Sequence, residues 1–325
     1  MWWLLARICS WRAEPRPPQK GWPSALGCGT ARAIMRLPDP STFIAAGASA
    51  EVFRLGEGRV LKLFHDGIDS SIVAREYAIA RAVQASGLPV PRTYGVQEAG
   101  GRQGIVYADM AGPDLLAYMA RNPHRGRWAL GEMARLQQRI SECHVPTLRS
   151  RKAILRVDIE AAPVGERLRA AAVDRLDQLN EGDALSHGDL HPANLIVTEE
   201  GLAVIDWSRA ARGMAATDVV RTEMVMRFGP GGDVGGEGGA AVLGWAAAKM
   251  RDAASAYYVR RHRALTGLDP EALAAWRALV ALAWMRQRAP SREAAFEAYL
   301  VEALEVAGLP PLERDAAPMS LVGPD

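Results

Sequence analysis

Two short stretches hold residue types and spacings that can do chemistry. The first is His187-Gly188-Asp189-Leu190-His191-Pro192-Ala193-Asn194, and the second is Ile205-Asp206-Trp207. They set one acid five residues before an asparagine and a second acid twelve residues after it. Phosphoryl transfer from a nucleotide needs this set. One carboxylate orients and deprotonates a hydroxyl, while an amide oxygen and a second carboxylate hold a magnesium ion that bridges the phosphates. Asp189 is therefore the candidate base, and Asn194 and Asp206 are the candidate magnesium ligands. Either acid alone would read as a helix cap or a strand end. The apolar triplets Leu195-Ile196-Val197 and Ala203-Val204-Ile205, which lie between the asparagine and the second acid, favour the catalytic reading of the pair. His187 and His191, four apart, do not make a zinc site: Gly188 and Pro192 oppose a helix there, and no Cys or His cluster is near in sequence.

A second group lies upstream. Lysine occurs only at 20, 62, 152 and 249, and Lys62 falls inside the alternating run Arg59 to Phe64. A lysine in such a run is costly unless it is paired. Glu76, on the helix predicted next, is a suitable partner, and a strand lysine held by a helix glutamate grips nucleotide phosphates. The turn Ala45-Ala46-Gly47-Ala48-Ser49-Ala50-Glu51 is made of small residues. Backbone N–H groups of Gly47, Ala48 and Ser49 can approach phosphate there, although the same turn also fits an ordinary hairpin.

These residues need elements to hold them. Strands are expected over Phe43 to Ala46, Glu51 to Leu55, Arg59 to Phe64, Arg92 to Gln97 and Gly104 to Ala108, with Glu98 to Gln103 as a turn. A helix is expected over Asp69 to Ser86, capped by Asp69 or Ser70 and stopped at Gly87-Leu88-Pro89. Downstream the pattern turns helical: Asp114 to Arg121, Arg127 to Cys143, and Glu166 to Leu179 with Gly182 ending it. A short hairpin follows around Glu199-Glu200-Gly201, then a helix over Ala216 to Phe228. Gly229 to Gly239 holds seven glycines and reads as a flexible loop. Three more helices, at about 240–265, 270–288 and 291–307, and a frayed tail after Leu309 complete the chain.

The chain's 325 residues exceed one ordinary core, so two lobes are expected. The fold class is α+β, with residues 35–110 forming a small antiparallel-sheet lobe and 111–325 a larger helical lobe. Residues 1–34, with four prolines between Pro15 and Pro23, read as a disordered leader or a mis-assigned start before Met35. A net charge of +2 argues against nucleic acid as a partner, and the run Arg260-Arg261-His262-Arg263 reads as a solvated face. Three scattered cysteines make no disulfide framework and suggest a reducing compartment, hence the cytoplasm. No run of about 18 apolar residues is present to span a bilayer.

The chain resembles the aminoglycoside phosphotransferase (kinase-like) family. The likeness rests on Gly47-Ala48-Ser49-Ala50-Glu51-Val52, Lys62, Glu76, Leu88-Pro89-Val90-Pro91, the 187–194 motif and Ile205-Asp206-Trp207. It covers about residues 40–230; the last ninety or so match only in being helical. It implies a bilobal protein-kinase-like fold with Mg2+ and ATP (or GTP) as co-substrate. It also implies that backbone groups of Asp109 and Met110, in the connecting segment Tyr107-Ala108-Asp109-Met110, bind adenine, and that Asp218 braces the catalytic loop. Gly188 stands where protein kinases usually carry arginine, which implies constitutive activity. The implied reaction moves a γ-phosphoryl group to a small-molecule hydroxyl. A nucleotide-binding scaffold without turnover and a protein kinase are the alternatives.

The acceptor stays open. Residues 210–325 carry thirteen Lys/Arg and fourteen Asp/Glu, a near-balance that weakens an aminoglycoside reading. Glu223, Asp233 and Glu237 lie in plausible lining segments. Tyr257, Tyr258, Trp276 and Trp284 read as helix core or, less simply, as an aromatic cage for a quaternary amine. A monomer or weak homodimer without membrane partners is expected.

Overall fold

The computed structural model describes residues 34–229, 239–287 and 292–313. In chain order the first elements are β1 (Ile34–Met35), β2 (Phe43–Ala46), β3 (Ala50–Gly56), β4 (Arg59–Phe64), α1 (Ser70–Gln84), β5 (Thr93–Ala99), β6 (Arg102–Ala108), α2 (Leu115–Arg121) and α3 (Gly126–Ser141). They are followed by α4 (Arg151–Glu160), α5 (Glu166–Gln178), β7 (Ala184–Ser186), β8 (Leu195–Thr198), β9 (Gly201–Val204), β10 (Ala211–Gly213) and α6 (Ala215–Phe228). The last are α7 (Gly239–Thr266), α8 (Pro270–Gln287) and α9 (Glu293–Val306).

The chain divides into two compact units: residues up to Pro123 with Leu195–Ser208, and His124–Asn194 with the residues from Arg209 on. The first unit is built on a sheet of order β1-β5-β6-β4-β3-β2. Its last five strands pair antiparallel, as expected, and β1 adds a parallel edge against Glu98 and Ala99. Alternation along β4 sorts its side chains. Leu61 and Leu63 pack with Phe53, Ala99 and Val106, while Phe64 joins Val73 and Ile105 on a second cluster. Helix α1 is capped by Asp69, whose carboxylate accepts from the Ser71 N–H at 2.7 Å. It buries Val73, Glu76, Ile79, Ala80 and Val83. Glu76 thus sits in an apolar stripe, where a carboxylate needs a partner.

The turn between β5 and β6 is tighter than the expected Glu98 to Gln103. Both strands run to the Gly100-Gly101 pair, whose positive φ values (58° and 83°) let the chain reverse in two residues. The β8–β9 hairpin belongs to the first unit because its backbone is tied there. Val197 N–H donates to Pro113 O at 2.9 Å and Val204 N–H to Pro89 O at 2.8 Å. Gly112, at φ 142°, packs so closely on the Val197 carbonyl that a Cβ would overlap it. Compact packing therefore places the division after Pro123 and returns this hairpin to the sheet unit, where sequence alone suggested a single break near residue 110.

The second unit is helical. Helix α6 buries residues on every face, including Val219, Val220, Thr222 and Met224, and packs on α7 and α8, while α3 packs on α7 and α4 on α5 and α8. Three elements here, α4, β7 and β10, have no counterpart in the sequence expectations. Helix α4 starts at Ser150, whose hydroxyl accepts from Ala153 N–H at 3.0 Å. Strand β7 pairs antiparallel with β10, Ser186 opposite Ala211 and Ala184 opposite Gly213. Three-residue strands carry too little periodicity to read from sequence. The expected 229–239 glycine loop lies outside the described residues from 230 to 238, as does the tail from 314. Among the described residues no helix is long and apolar enough to cross a membrane.

Candidate active site

In the sheet unit, three of the expected residues meet. Lys62 Nζ lies 2.6 Å from Glu76 Oε1 and 3.1 Å from Asp206 Oδ1. Burial opposes the charge on Lys62, but the carboxylates of Asp206 and Glu76 outweigh it and hold the ammonium above its ordinary pKa. Burial pushes the Glu76 carboxyl up while Lys62 pulls it back. The Lys62 and Glu76 side chains are only 17% and 8% exposed, whereas Asp206 keeps 43%, so the aspartate is the member that can reach a ligand. Asp206 also has φ 58°, a left-handed backbone that is unusual for a residue other than glycine. Such strain persists where surrounding structure over-determines it, typically at functional positions.

Other expected residues are placed with qualifications. The Gly47 N–H donates to Ala50 O at 2.8 Å, and the carbonyls of Gly47 and Ser49 face His65, through Nε2 at 3.1 Å and N–H at 2.9 Å. The Gly47 amide is therefore spent inside the turn. The Asp109 N–H donates to Gly58 O at 2.7 Å and its carboxylate lies 3.4 Å from Arg54 Nε. The Asp109 amide is therefore engaged within the sheet unit, with Met110 next in the chain.

In the helical unit, the β7–β10 ladder carries the motif loop, and α6 holds it from below. Asp218 Oδ2 accepts from His187 N–H at 2.8 Å and from Gln137 Nε2 at 2.7 Å, and Oδ1 accepts from Gly188 N–H at 2.6 Å. The carboxylate is 1% exposed, and the loop amides solvate it in place of water. His187 is fully buried and its Nδ1 accepts from Asp189 N–H at 3.2 Å, so it serves the loop as an acceptor. Asn194 Nδ2 donates to Asp189 O at 2.9 Å, which directs the other end of the amide, its oxygen, away from the loop backbone.

Gly188 has φ 80°, and a Cβ there would stand 2.6 Å from Arg209 O and collide with the Arg151 guanidinium. Arg151, from the helix that sequence reasoning missed, donates to Ser186 Oγ at 3.0 Å and to Arg209 O at 2.8 Å. A guanidinium thus stands beside Gly188, supplied from α4. A second unforeseen residue is Arg221, whose Nη2 is 4.0 Å from Asp189 Oδ1. Its one legible signal is its place three residues after Asp218, one turn along the same helix.

Three of the four aromatics follow the helix-core reading, while Tyr257 is only partly buried, with the Arg127 guanidinium 5.3 Å from its ring centroid. Tyr258 and Trp284 are fully buried and Trp276 is 3% exposed. The solvated-face reading of residues 260–263 also needs correction at His262, which is 1% exposed and makes no ring hydrogen bond among the described residues. Burial pushes its pKa down to about 4, against a pull from Asp218. The unfolded chain then binds a proton near pH 6.5 that the folded chain refuses until about pH 4, so stability falls as pH drops through that window. Urea unfolding at pH 7 and pH 4 should show a loss of about 3 kcal/mol from this group, and His262→Gln should remove most of that slope.

Asp206 offers a half-exposed carboxylate in the sheet unit and Asn194 an amide oxygen in the helical unit, each an oxygen ligand of the kind magnesium takes. Among the described residues no group of three or more His, Cys, Asp or Glu is arranged to hold a metal.

The profile described as the Phosphotransferase enzyme family matches residues 41–253. The chain belongs to this family. No curated protein matches it. Among solved structures, the amicoumacin kinase hAmiN, in complex with AMP-PNP, Ca2+ and Ami, is 16% identical with TM-score 0.51, covering 86% of this chain and 92% of that one. The aminoglycoside-3'-phosphotransferase of type VIII is 20% identical with TM-score 0.51, covering 74% and 90%. A choline/ethanolamine kinase family protein from Mesorhizobium loti is 15% identical with TM-score 0.50, covering 86% and 90%. At these identities the likeness establishes the kinase-like fold. The family match covers both the Lys62–Glu76–Asp206 group and the Asp218-braced loop.

Proposed function

We propose that this phosphotransferase moves the γ-phosphoryl group of ATP (or GTP) to a hydroxyl of a small molecule. The observation that carries the reading is Lys62 held between Glu76 and Asp206, at 2.6 and 3.1 Å, in a chain whose Asp189 sits in a loop gripped by buried Asp218. Lys62 grips the phosphates while Glu76 fixes its ammonium. Ala48 and Ser49 contribute turn amides. Asp189 orients the acceptor hydroxyl and takes its proton as the oxygen attacks phosphorus. Asn194 and Asp206 would hold magnesium, which when bound neutralises charge on the phosphates. Asp109 and Met110 offer backbone polar groups to the base. Most of the acceleration comes from positioning and fixed charge.

The acceptor we favour is neutral or modestly charged rather than polycationic. Glu223, one of the expected lining acids, is 3.1 Å from Arg277 and 3.8 Å from Arg227. Asp158 pairs with Arg286 at 2.8 Å, and Asp252 pairs with Arg292 at 2.8 Å. Carboxylates neutralised within the unit have little field left for an amine-rich antibiotic. The other expected lining acids, Asp233 and Glu237, lie outside the described residues. A reaction that draws on ATP fits a cytoplasmic monomer or weak homodimer.

The test is a coupled nucleotide-consumption assay over amino alcohols, sugars, hydroxy amino acids and aminoglycosides. We expect saturable, Mg2+-dependent consumption with at least one neutral or singly charged acceptor, abolished by EDTA. Consumption only with aminoglycosides would refute the acceptor class. Absence of both Mg2+-dependent hydrolysis and nucleotide binding by calorimetry would refute the function.

A further inference from the structure

Helix α6 reaches the catalytic loop twice. Asp218 accepts from the amides of His187 and Gly188. Arg221, one turn on along the same face of the helix, brings its Nη2 to 4.0 Å from Asp189 Oδ1. One helix thus addresses three consecutive loop residues, the first two through their backbone and the third through its side chain. Arg221 is itself held in place. Its guanidinium lies 4.3 Å from the centroid of the Trp284 ring, and Trp284 is fully buried in α8. A guanidinium stacked on an indole that cannot move has lost much of its rotamer freedom.

The Arg221 and Asp189 side chains are 11% and 12% exposed, so their attraction is weakly screened by solvent. The separation is too long for a hydrogen bond. It is short enough for a fixed cation to select which way the carboxylate turns.

We propose that Arg221 is a positioning residue for the reaction: stacked on Trp284, it fixes the orientation of the Asp189 carboxylate so that an oxygen points at the acceptor. Asp218 sets where the loop is, and Arg221 sets how its acid faces. The inference rests on Asp189 being the group that orients the acceptor. A base misplaced by about 1 Å can cost about 10²-fold in rate, which sets the scale of the effect.

The experiment uses the full chain and four variants: Arg221→Met, Arg221→Lys, Asp189→Asn, and the double variant Arg221→Met/Asp189→Asn. Mg2+-dependent ATP hydrolysis with water as acceptor is the probe, and circular dichroism and urea unfolding report folding. Arg221→Met should lower kcat by about 10- to 100-fold with KM for MgATP unchanged. Arg221→Lys, which keeps the charge, should recover at least about threefold of that loss. In the Asp189→Asn background, Arg221→Met should cost less than about threefold, because its effect is exerted through the missing carboxylate.

A structural role would give equal losses in both backgrounds or a raised KM, and either result overturns the proposal, as does an Arg221→Met enzyme with unchanged kcat. If Arg221→Met does not fold, the Arg221→Lys pair in the two backgrounds supplies the same cycle. An Asp189→Asn variant as fast as the parent would instead refute the function on which the proposal rests.

Discussion

Replacing Asp189 by Asn lowers turnover by about 10²- to 10⁴-fold, the range by which a positioned base speeds a proton transfer. The change is isosteric, and the loop does not depend on the carboxylate for its shape. Its backbone is held by Asp218, its Asp189 N–H donates to His187 Nδ1 at 3.2 Å, and its Asp189 carbonyl accepts from Asn194 at 2.9 Å. The variant should therefore fold with little loss of stability. On the proposed function the nucleotide is gripped through Lys62, Glu76 and Asp206, which the substitution leaves in place, so KM for MgATP should move by less than about twofold. Steady-state kinetics with the best acceptor from the panel measures both. Turnover within tenfold of the parent would remove Asp189 from the mechanism.

Asp218→Ala should damage the protein more broadly. The carboxylate accepts from two loop amides and from Gln137 Nε2, all at 2.6–2.8 Å and all buried. Its removal strands three donors away from water, each worth about 1–3 kcal/mol when left unsatisfied. We expect a loss of at least about 3 kcal/mol of unfolding free energy together with nearly all turnover. Urea unfolding monitored by tryptophan fluorescence, beside the kinetic assay, checks both. Gln137→Leu is the milder companion, since it strands no backbone amide and should cost about 1 kcal/mol while keeping most activity. If Asp218→Ala were as stable as the parent, the loop would have to be held by something other than this carboxylate.

Most of the sheet unit could be read directly. The β2, β3 and β4 strands and helix α1 fall within a residue or two of expectation, because alternation at period two and a side-chain cap at Asp69 are local signals. The pairing of Lys62 with Glu76 was legible from the lysine's side: a lysine in an apolar strand demands a partner, and Glu76 lay on the helix expected next. Asp218 was placed as the loop brace through family resemblance, and three hydrogen bonds give that role its physical content. Misreadings clustered where the signal is not local. The three-residue strands β7 and β10 depend on pairing across distant segments; helix α4, with its local cap at Ser150, is the exception. His262 lies on a helix buried on several faces, where periodicity cannot tell inside from outside.

The amino-acid order alone carried the phosphotransferase reading, because the identities and spacings of Lys62, Glu76, Asp189, Asn194 and Asp206 match the base, phosphate grip and oxygen ligands that such a reaction uses, without reference to any contact. Tertiary structure alone decided how those groups are held. Arg151 beside Gly188, Arg221 at 4.0 Å from the Asp189 carboxylate, and the Asp109 amide given to the Gly58 carbonyl all arise from side chains and backbone far apart in the chain. Long-range electrostatic and steric partners leave no periodic trace in sequence, so only folded coordinates bring them into view.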